Sequence, residues 1–166
     1  FWRDEPTHDE IGSNSSNNVG AIICVHDDNF FLEQLLKHLK NNVGVILAML
    51  GIKPWNGVKN GEHYNYKGVK TTLSIINKFT GNEYQTTTKT ILIPGYWETE
   101  GEQRSAGINI LNNNLKAYKI SHALMVDADE FWSPVDLRKL IVLASNAHII
   151  NSYAGLRVAM YTYWKN

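Results

Sequence analysis

The sequence is most informative first in what it lacks. Among 166 residues there is one cysteine, Cys24. A lone cysteine excludes an intramolecular disulfide framework and a multi-cysteine zinc site. Cys24 lies in the apolar run Ala21-Ile22-Ile23-Cys24-Val25, where a buried, unreactive thiol is expected. Neither charge sign is in excess, because 16 basic side chains face 16 acidic ones. That balance removes the basic footprint of a general nucleic-acid binder. No apolar run approaches the roughly 18–20 residues that cross a bilayer. No signal peptide or initiator methionine opens the chain.

What remains is the composition of a folded domain, 43% hydrophobic and 19% charged, long enough to bury a sizeable core. Residues 1–18 are polar, with Pro6, Gly12 and the run Ser13 to Asn18, and read as a flexible leader. Asn14-Ser15-Ser16 matches the N-glycosylation pattern, but nothing else argues for secretion. The compartment stays open, with the cytoplasm as the default expectation. Phe1 reads as a cut end, and the run to Asn166 closes without a final element, so residues 19–166 are expected to form an incomplete domain.

The apolar pattern predicts alternating strands and helices. Val19–Val25 suits a strand buried on both faces. A helix follows, capped by Asp28 or Asn29, with Phe31, Leu32, Leu35, Leu36 and Leu39 as its stripe. Val43–Ile52 is a second strand, so the three elements form a right-handed βαβ unit. Lys53–Lys89 is irregular and rich in lysine, consistent with a solvated loop or a phosphate-facing surface, with a short helix over Thr71–Phe79. Thr90–Pro94 is a third strand. Gly101–Leu115 is a helix with Ile108, Leu111 and Leu115 on one side. Ala123–Val126 is a fourth strand. Ser133 caps a further helix, with Pro134 first, Asp136 third, and Leu137, Leu140, Ile141 and Ala144 buried. Leu156–Trp164 closes as a strand. The fold class is therefore α/β, a Rossmann-related, mostly parallel sheet flanked by helices.

In such sheets ligands bind beyond the carboxyl ends of the strands. Two strands end in acidic clusters, His26-Asp27-Asp28 and Asp127-Ala128-Asp129-Glu130. Carboxylates at i and i+2 can approach one hard divalent cation, which would neutralise a diphosphate. The plainer reading is that Asp127 and Asp129 cap the turn and the next helix. Gln103 and Arg104 lie near a helix start, where free N–H groups favour anions. Arg104 can pair with a phosphate, hold a nearby carboxylate, or simply form a surface salt bridge on the first helical turn. Glu98, Glu100 and Glu102 give that helix a negative start. His26 is either an acid–base group or a strand-end histidine bonded to backbone. Trp97, Phe131, Trp132 and Trp164 can stack on a base or sugar, or simply pack. The other histidines show no metal-ligand spacing.

These residues together resemble the family-two-like glycosyltransferases of GT-A fold. The resemblance rests on Ala21 to Asp28, on Gln103-Arg104 ahead of Gly107, on Tyr163-Trp164-Lys165, and above all on Leu124 to Phe131, which looks like the family's D-x-D-E-F segment. It implies a GT-A-like sheet and a metal-dependent transfer of sugar from a nucleotide-diphosphate-sugar donor to a glycan or other acceptor hydroxyl. Val25, His26, Asp27, Gln103, Arg104, Asp127 and Ala128 would line the donor nucleotide. Asp127 and Asp129 would hold Mn²⁺ or Mg²⁺. Two departures matter. Ile52 to Gly57 carries no acid after the second strand, leaving Asn56 as a substitute. The catalytic base falls beyond the matched region, and Glu130 is the one candidate inside it. A sugar-phosphate nucleotidyltransferase and a non-catalytic carbohydrate- or partner-binding relic are the alternatives. The former usually carries a glycine-rich, basic loop where His26 to Asn29 stand.

Overall fold

Seven residues without a charge, Val19–Val25, form strand β1, and every one of them is buried. A strand with no polar face must be covered on both sides, and this requirement organises the domain. In the computed structural model, which describes residues 18–27, 29–55, 66–81, 88–130 and 132–144, β1 is central. The element order is β1, α1 (Leu32–Leu39), β2 (Val45–Gly51), α2 (Tyr66–Thr80), β3 (Lys89–Gly95), α3 (Glu100–Asn113), α4 (Leu115–Tyr118), β4 (His122–Asp127) and α5 (Pro134–Ala144). The sheet runs β3-β2-β1-β4, and every pair is parallel. The expected α/β class with a parallel sheet flanked by helices is therefore present. The predicted strand over 156–164 lies outside the described residues, as does the predicted leader apart from Asn18.

The side chains of β1 and β2 divide between two cores. Ala21, Ile23, Val25, Ile46, Ala48 and Leu50 point to one face, where Leu32, Leu35, Leu36 and Leu39 of α1, Ile76 and Phe79 of α2, and Leu137 and Ile141 of α5 cover them. Ile22, Cys24, Val45, Leu47 and Met49 point to the other, under Leu111 of α3 and Ile120. Right-handed crossovers account for the split. Moving from β1 to β2 to β3 places α1 and α2 on one face. Returning past β1 to β4 reverses the direction and places α3 on the opposite face.

Three local expectations are corrected. First, α1 begins at Leu32 with no side-chain cap, so Phe31 precedes the helix and is exposed rather than part of its buried stripe. Asn29 instead donates from its amide to the Asp27 carbonyl at 3.1 Å, closing a turn of its own. Second, α3 buries Gln103, Gly107 and Leu111, while Ile108 and Leu115 are exposed. Gly107 decides this rotation, because its bare backbone allows the helix to settle onto Ile22. Third, the helix does not run unbroken to Leu115. Asn114 interrupts it at φ −123° and ψ 13°, with its amide donating to the Ile110 carbonyl at 2.8 Å. The helix expected over Thr71–Phe79 is longer, Tyr66–Thr80. The cap at Ser133 forms as expected, its hydroxyl accepting from the Asp136 N–H at 3.1 Å.

A side chain at Gly107 has no room, since a Cβ there would stand 2.6 Å from Ile22 Cγ2. Ile22 is fully buried and its branch cannot swing aside. Gly107→Val is expected to lower the unfolding free energy by roughly 1–3 kcal/mol through overpacking, despite a small gain in helix propensity. Urea unfolding followed by tryptophan fluorescence measures this, and an unchanged midpoint would contradict the close approach.

Candidate functional site

The four parallel strands deliver their carboxyl ends to one edge. β1 and β4 are neighbours, with Cys24 in register with Asp127. The segments that follow them, His26-Asp27 and Asp127-Ala128-Asp129-Glu130, therefore leave neighbouring strands at that edge. From β1 the chain runs outward to β2 and β3 and then returns past β1 to reach β4, while α1 after β1 and α5 after β4 cover the same face. This is the point where strand order reverses, and open α/β sheets bind ligands there. The convergence expected of the two acidic strand ends is present for their described residues; Asp28 lies outside them.

At the end of β4 the backbone folds back in a turn, with the Glu130 N–H donating to the Asp127 carbonyl at 3.1 Å. Glu130 closes the same turn from its side chain. Its Oε2 accepts from the Asp127 N–H at 3.2 Å and from Trp132 Nε1 at 3.1 Å. Burial pushes the Glu130 carboxyl above its ordinary range; these two hydrogen bonds pull the other way, and the charges of Asp127 and Asp129 add to the rise. Asp129 stands exposed at the tip of the turn, whereas Ala128 is buried.

Asp127 points to the α3 face, where Arg104 meets it. Arg104 Nη2 lies 2.6 Å from Oδ1 and 2.9 Å from Oδ2. The same guanidinium pairs with Glu100 one helical turn earlier. Partial burial works against its charge, but the hydrogen bond and charge of Asp127, with the charge of Glu100, raise its pKa further. Arg104 thus holds a carboxylate of the β4 turn and also makes the plainer salt bridge of the first helical turn, to Glu100. Cys24 lies buried beneath this pair, and desolvation pushes its thiol to about 11. A thiol so far above neutrality is unreactive, as expected.

Gln103 sits differently from a ligand-facing residue. It is 1% exposed, and its Nε2 donates to the Met49 carbonyl at 2.6 Å while its Oε1 accepts from Trp55 Nε1 at 2.7 Å. It anchors α3 to the end of β2 and orients the loop that follows. His26 acts in the same way, its Nδ1 hydrogen-bonded to the Gly51 carbonyl at 2.7 Å. Because a carbonyl only accepts, that nitrogen carries the hydrogen. The backbone-bonded reading of His26 is the one present. Val25 is 2% exposed, so only its backbone is placed at the edge. Trp97 lies directly over Gly95 and against the α3-face core, and Trp132 is buried, so both pack. Phe131, Trp164 and Asn56 lie outside the described residues.

Sequence reasoning missed the aromatic flank of this edge. Trp55, after β2, is half-exposed and bonded to Gln103, and Tyr96, after β3, is 69% exposed with Lys53 Nζ 5.5 Å from its ring centroid. Their positions just past strand ends were the available signal. It also missed the bracing role of Glu130, which needs the fold of the turn to be seen. The negative start of α3 is more specific than a dipole effect. Thr99 caps the helix by accepting from the Glu102 N–H at 3.2 Å, and Glu102 accepts from the Glu98 N–H at 2.9 Å.

Among the described residues, no three His, Cys, Asp or Glu side chains are arranged to hold a metal ion. No helix among them is long and apolar enough to cross a membrane. The fold and edge define an α/β domain with a four-stranded parallel sheet flanked by helices, whose strand order reverses beside an acidic strand end. Beyond that class the comparisons add nothing: no family model, curated protein or solved structure matches the chain.

Two outcomes follow for the residues that shape this edge. Gln103→Leu leaves the Met49 carbonyl without its partner and is expected to cost about 1–3 kcal/mol, read by denaturant unfolding. Glu130, with its folded pKa raised, favours folding while protonated, and that contribution disappears as pH rises through the folded value. Glu130→Gln should therefore gain stability relative to the parent as pH is raised from 4 toward neutrality. Paired thermal melts across pH test the sign, and a variant that loses stability relative to the parent as pH rises would contradict it.

Proposed function

We propose that this chain is the donor-binding portion of a metal-dependent glycosyltransferase of GT-A type, moving a sugar from a nucleotide-diphosphate donor to an acceptor hydroxyl. The reading is supported by one observation, the adjacency of β1 and β4, which brings two acidic strand ends together where strand order reverses. Asp127 to Glu130, the described part of the D-x-D-E-F segment, lie at the end of β4.

In this reading the diphosphate lies across the carboxyl ends of β1 and β4. The backbone at Val25 and the segment His26-Asp27 face the nucleotide. Gln103 and His26 hold the strand ends in place, and Glu130 fixes the turn that presents Asp127 and Asp129. The donor set is carboxylate oxygen, which suits Mn²⁺ or Mg²⁺, with water and phosphate oxygens completing the coordination. Asp129, exposed at the turn, and Asp127 would hold the ion. A divalent cation there supplies neutralisation of the diphosphate as it leaves with the nucleotide. Glu130 is assigned as a brace rather than a base, because its Oε2 already accepts two hydrogen bonds.

A non-catalytic binding relic of the fold is the second reading, favoured by the pairing of Asp127 with Arg104, which already neutralises one carboxylate. A sugar-phosphate nucleotidyltransferase has less support, since neither glycine nor a basic residue follows β1 where its phosphate loop would begin.

Calorimetry with a nucleoside diphosphate is expected to give weak binding without metal and at least tenfold tighter binding with Mn²⁺. Asp129→Ala should abolish the metal effect while leaving the fold intact by circular dichroism. A folded protein that binds no nucleotide in the presence of Mn²⁺ would overturn the reading. Slow release of sugar from a nucleotide-sugar separates a residual transferase from a binding relic.

A further inference from the structure

We propose that Arg104 is an internal counter-cation that competes with the divalent ion for Asp127, so that metal uptake requires this pair to open. The inference rests on the reading above for the identity of the metal ligands, and on the geometry of the pair for everything else.

The contact is end-on. A single nitrogen, Nη2, faces both oxygens of Asp127 and also pairs with Glu100. That nitrogen has two hydrogens and three carboxylate oxygens around it. Arg104 Nε, by contrast, is buried and has no hydrogen-bond partner. The guanidinium therefore does not make the fork-to-fork pairing in which two nitrogens meet two oxygens, the arrangement that gives arginine–carboxylate pairs their strength and geometric specificity. An end-on pair with an unsatisfied N–H is easier to open than a forked one. Glu100 makes opening easier still, because it retains Arg104 on the first turn of α3 when Asp127 lets go. The side chains of Arg104 and Asp127 are 36% and 39% exposed, so a hydrated ion can reach the carboxylate from solvent.

Arg104 and a divalent cation satisfy the same need. Asp127, Asp129 and Glu130 gather three carboxyl groups in four residues, and Asp127 is the one with a cationic partner. Whichever cation holds Asp127 relieves the repulsion, and both cannot hold it fully at once. Arg104 is on this account a positioning residue that sets the threshold for metal, keeping the turn ordered when metal is scarce.

The test is Mn²⁺ binding to the 166-residue chain, measured by calorimetry with the metal alone. Arg104→Met is expected to tighten Mn²⁺ binding by roughly three- to tenfold, the scale of a partly exposed ion pair. It should also lower the metal-free melting temperature and enlarge the rise caused by saturating Mn²⁺. In an Asp127→Asn background the same Arg104→Met change should leave Mn²⁺ affinity unaltered, since the two act through one contact. If Arg104→Met does not fold, Arg104→Gln, which removes the charge and keeps a donor, is expected to shift affinity in the same direction. Unchanged or weaker Mn²⁺ binding in the folded variant would overturn the proposal, because a merely structural arginine predicts that sign. Absence of Mn²⁺ binding in both parent and variant would overturn it too. A parent that binds Mn²⁺ but no nucleoside diphosphate would instead refute the glycosyltransferase reading, leaving the metal comparison to decide the role of Arg104.

Discussion

The constraint on which the rest of this structure depends is the burial of β1 on both faces and along both edges. Seven consecutive residues without charge, Val19–Val25, cannot sit at a sheet margin without exposing apolar side chains and unpaired backbone groups. β2 pairs with one edge and β4 with the other, and helices close both faces. Once β1 is central, right-handed crossovers fix the rest. Strand order reverses beside β1, and that reversal makes the ends of β1 and β4 neighbours. The acidic residues are placed there because the strands end there.

Electrostatics then shapes the edge. Carboxyl groups crowded on one turn repel, and the structure answers with several separate devices. Arg104 pairs with Asp127 from the α3 side. The Asp127 N–H and the Trp132 indole donate to Glu130. Asp129 is left to solvent. Each carboxylate thus has a different environment on four consecutive residues, which is how one short segment can divide the tasks of ligation and bracing. Gln103 links this electrostatic arrangement to the core, since the helix that carries Arg104 is held to β2 through it.

Much of the fold was legible in the sequence because its signals are local or periodic. Unbroken apolar runs marked four strands, helical spacing marked the stripe of α1, and Ser133-Pro134-Val135-Asp136 marked the start of α5. The misreadings share a cause. Ile108 and Leu115 are apolar and predict a stripe for α3 that includes them, yet the helix rotates to bury Gln103 and Gly107. A glutamine and a glycine at the core carry no hydrophobic signal. One is there to satisfy the Met49 carbonyl, the other to let backbone approach Ile22. Likewise Asn29 looks like a cap from its type and position, but its amide closes a turn before the helix begins.

For the site, the sequence by itself determined which residues stand at strand ends: His26-Asp27 after one apolar run and Asp127 to Glu130 after another. It determined the class of chemistry those residues can support, since oxygen donors in that pattern are a property of residue type. Only the tertiary structure decided that the two ends are neighbours, that Arg104 reaches Asp127 rather than solvent, and that Gln103 faces inward. These are contacts between residues 23 to 103 positions apart, made by pairing order and helix rotation, and no local pattern encodes them. Periodicity states which face of an element is apolar. What that face meets is settled when all the buried faces and backbone groups are satisfied together.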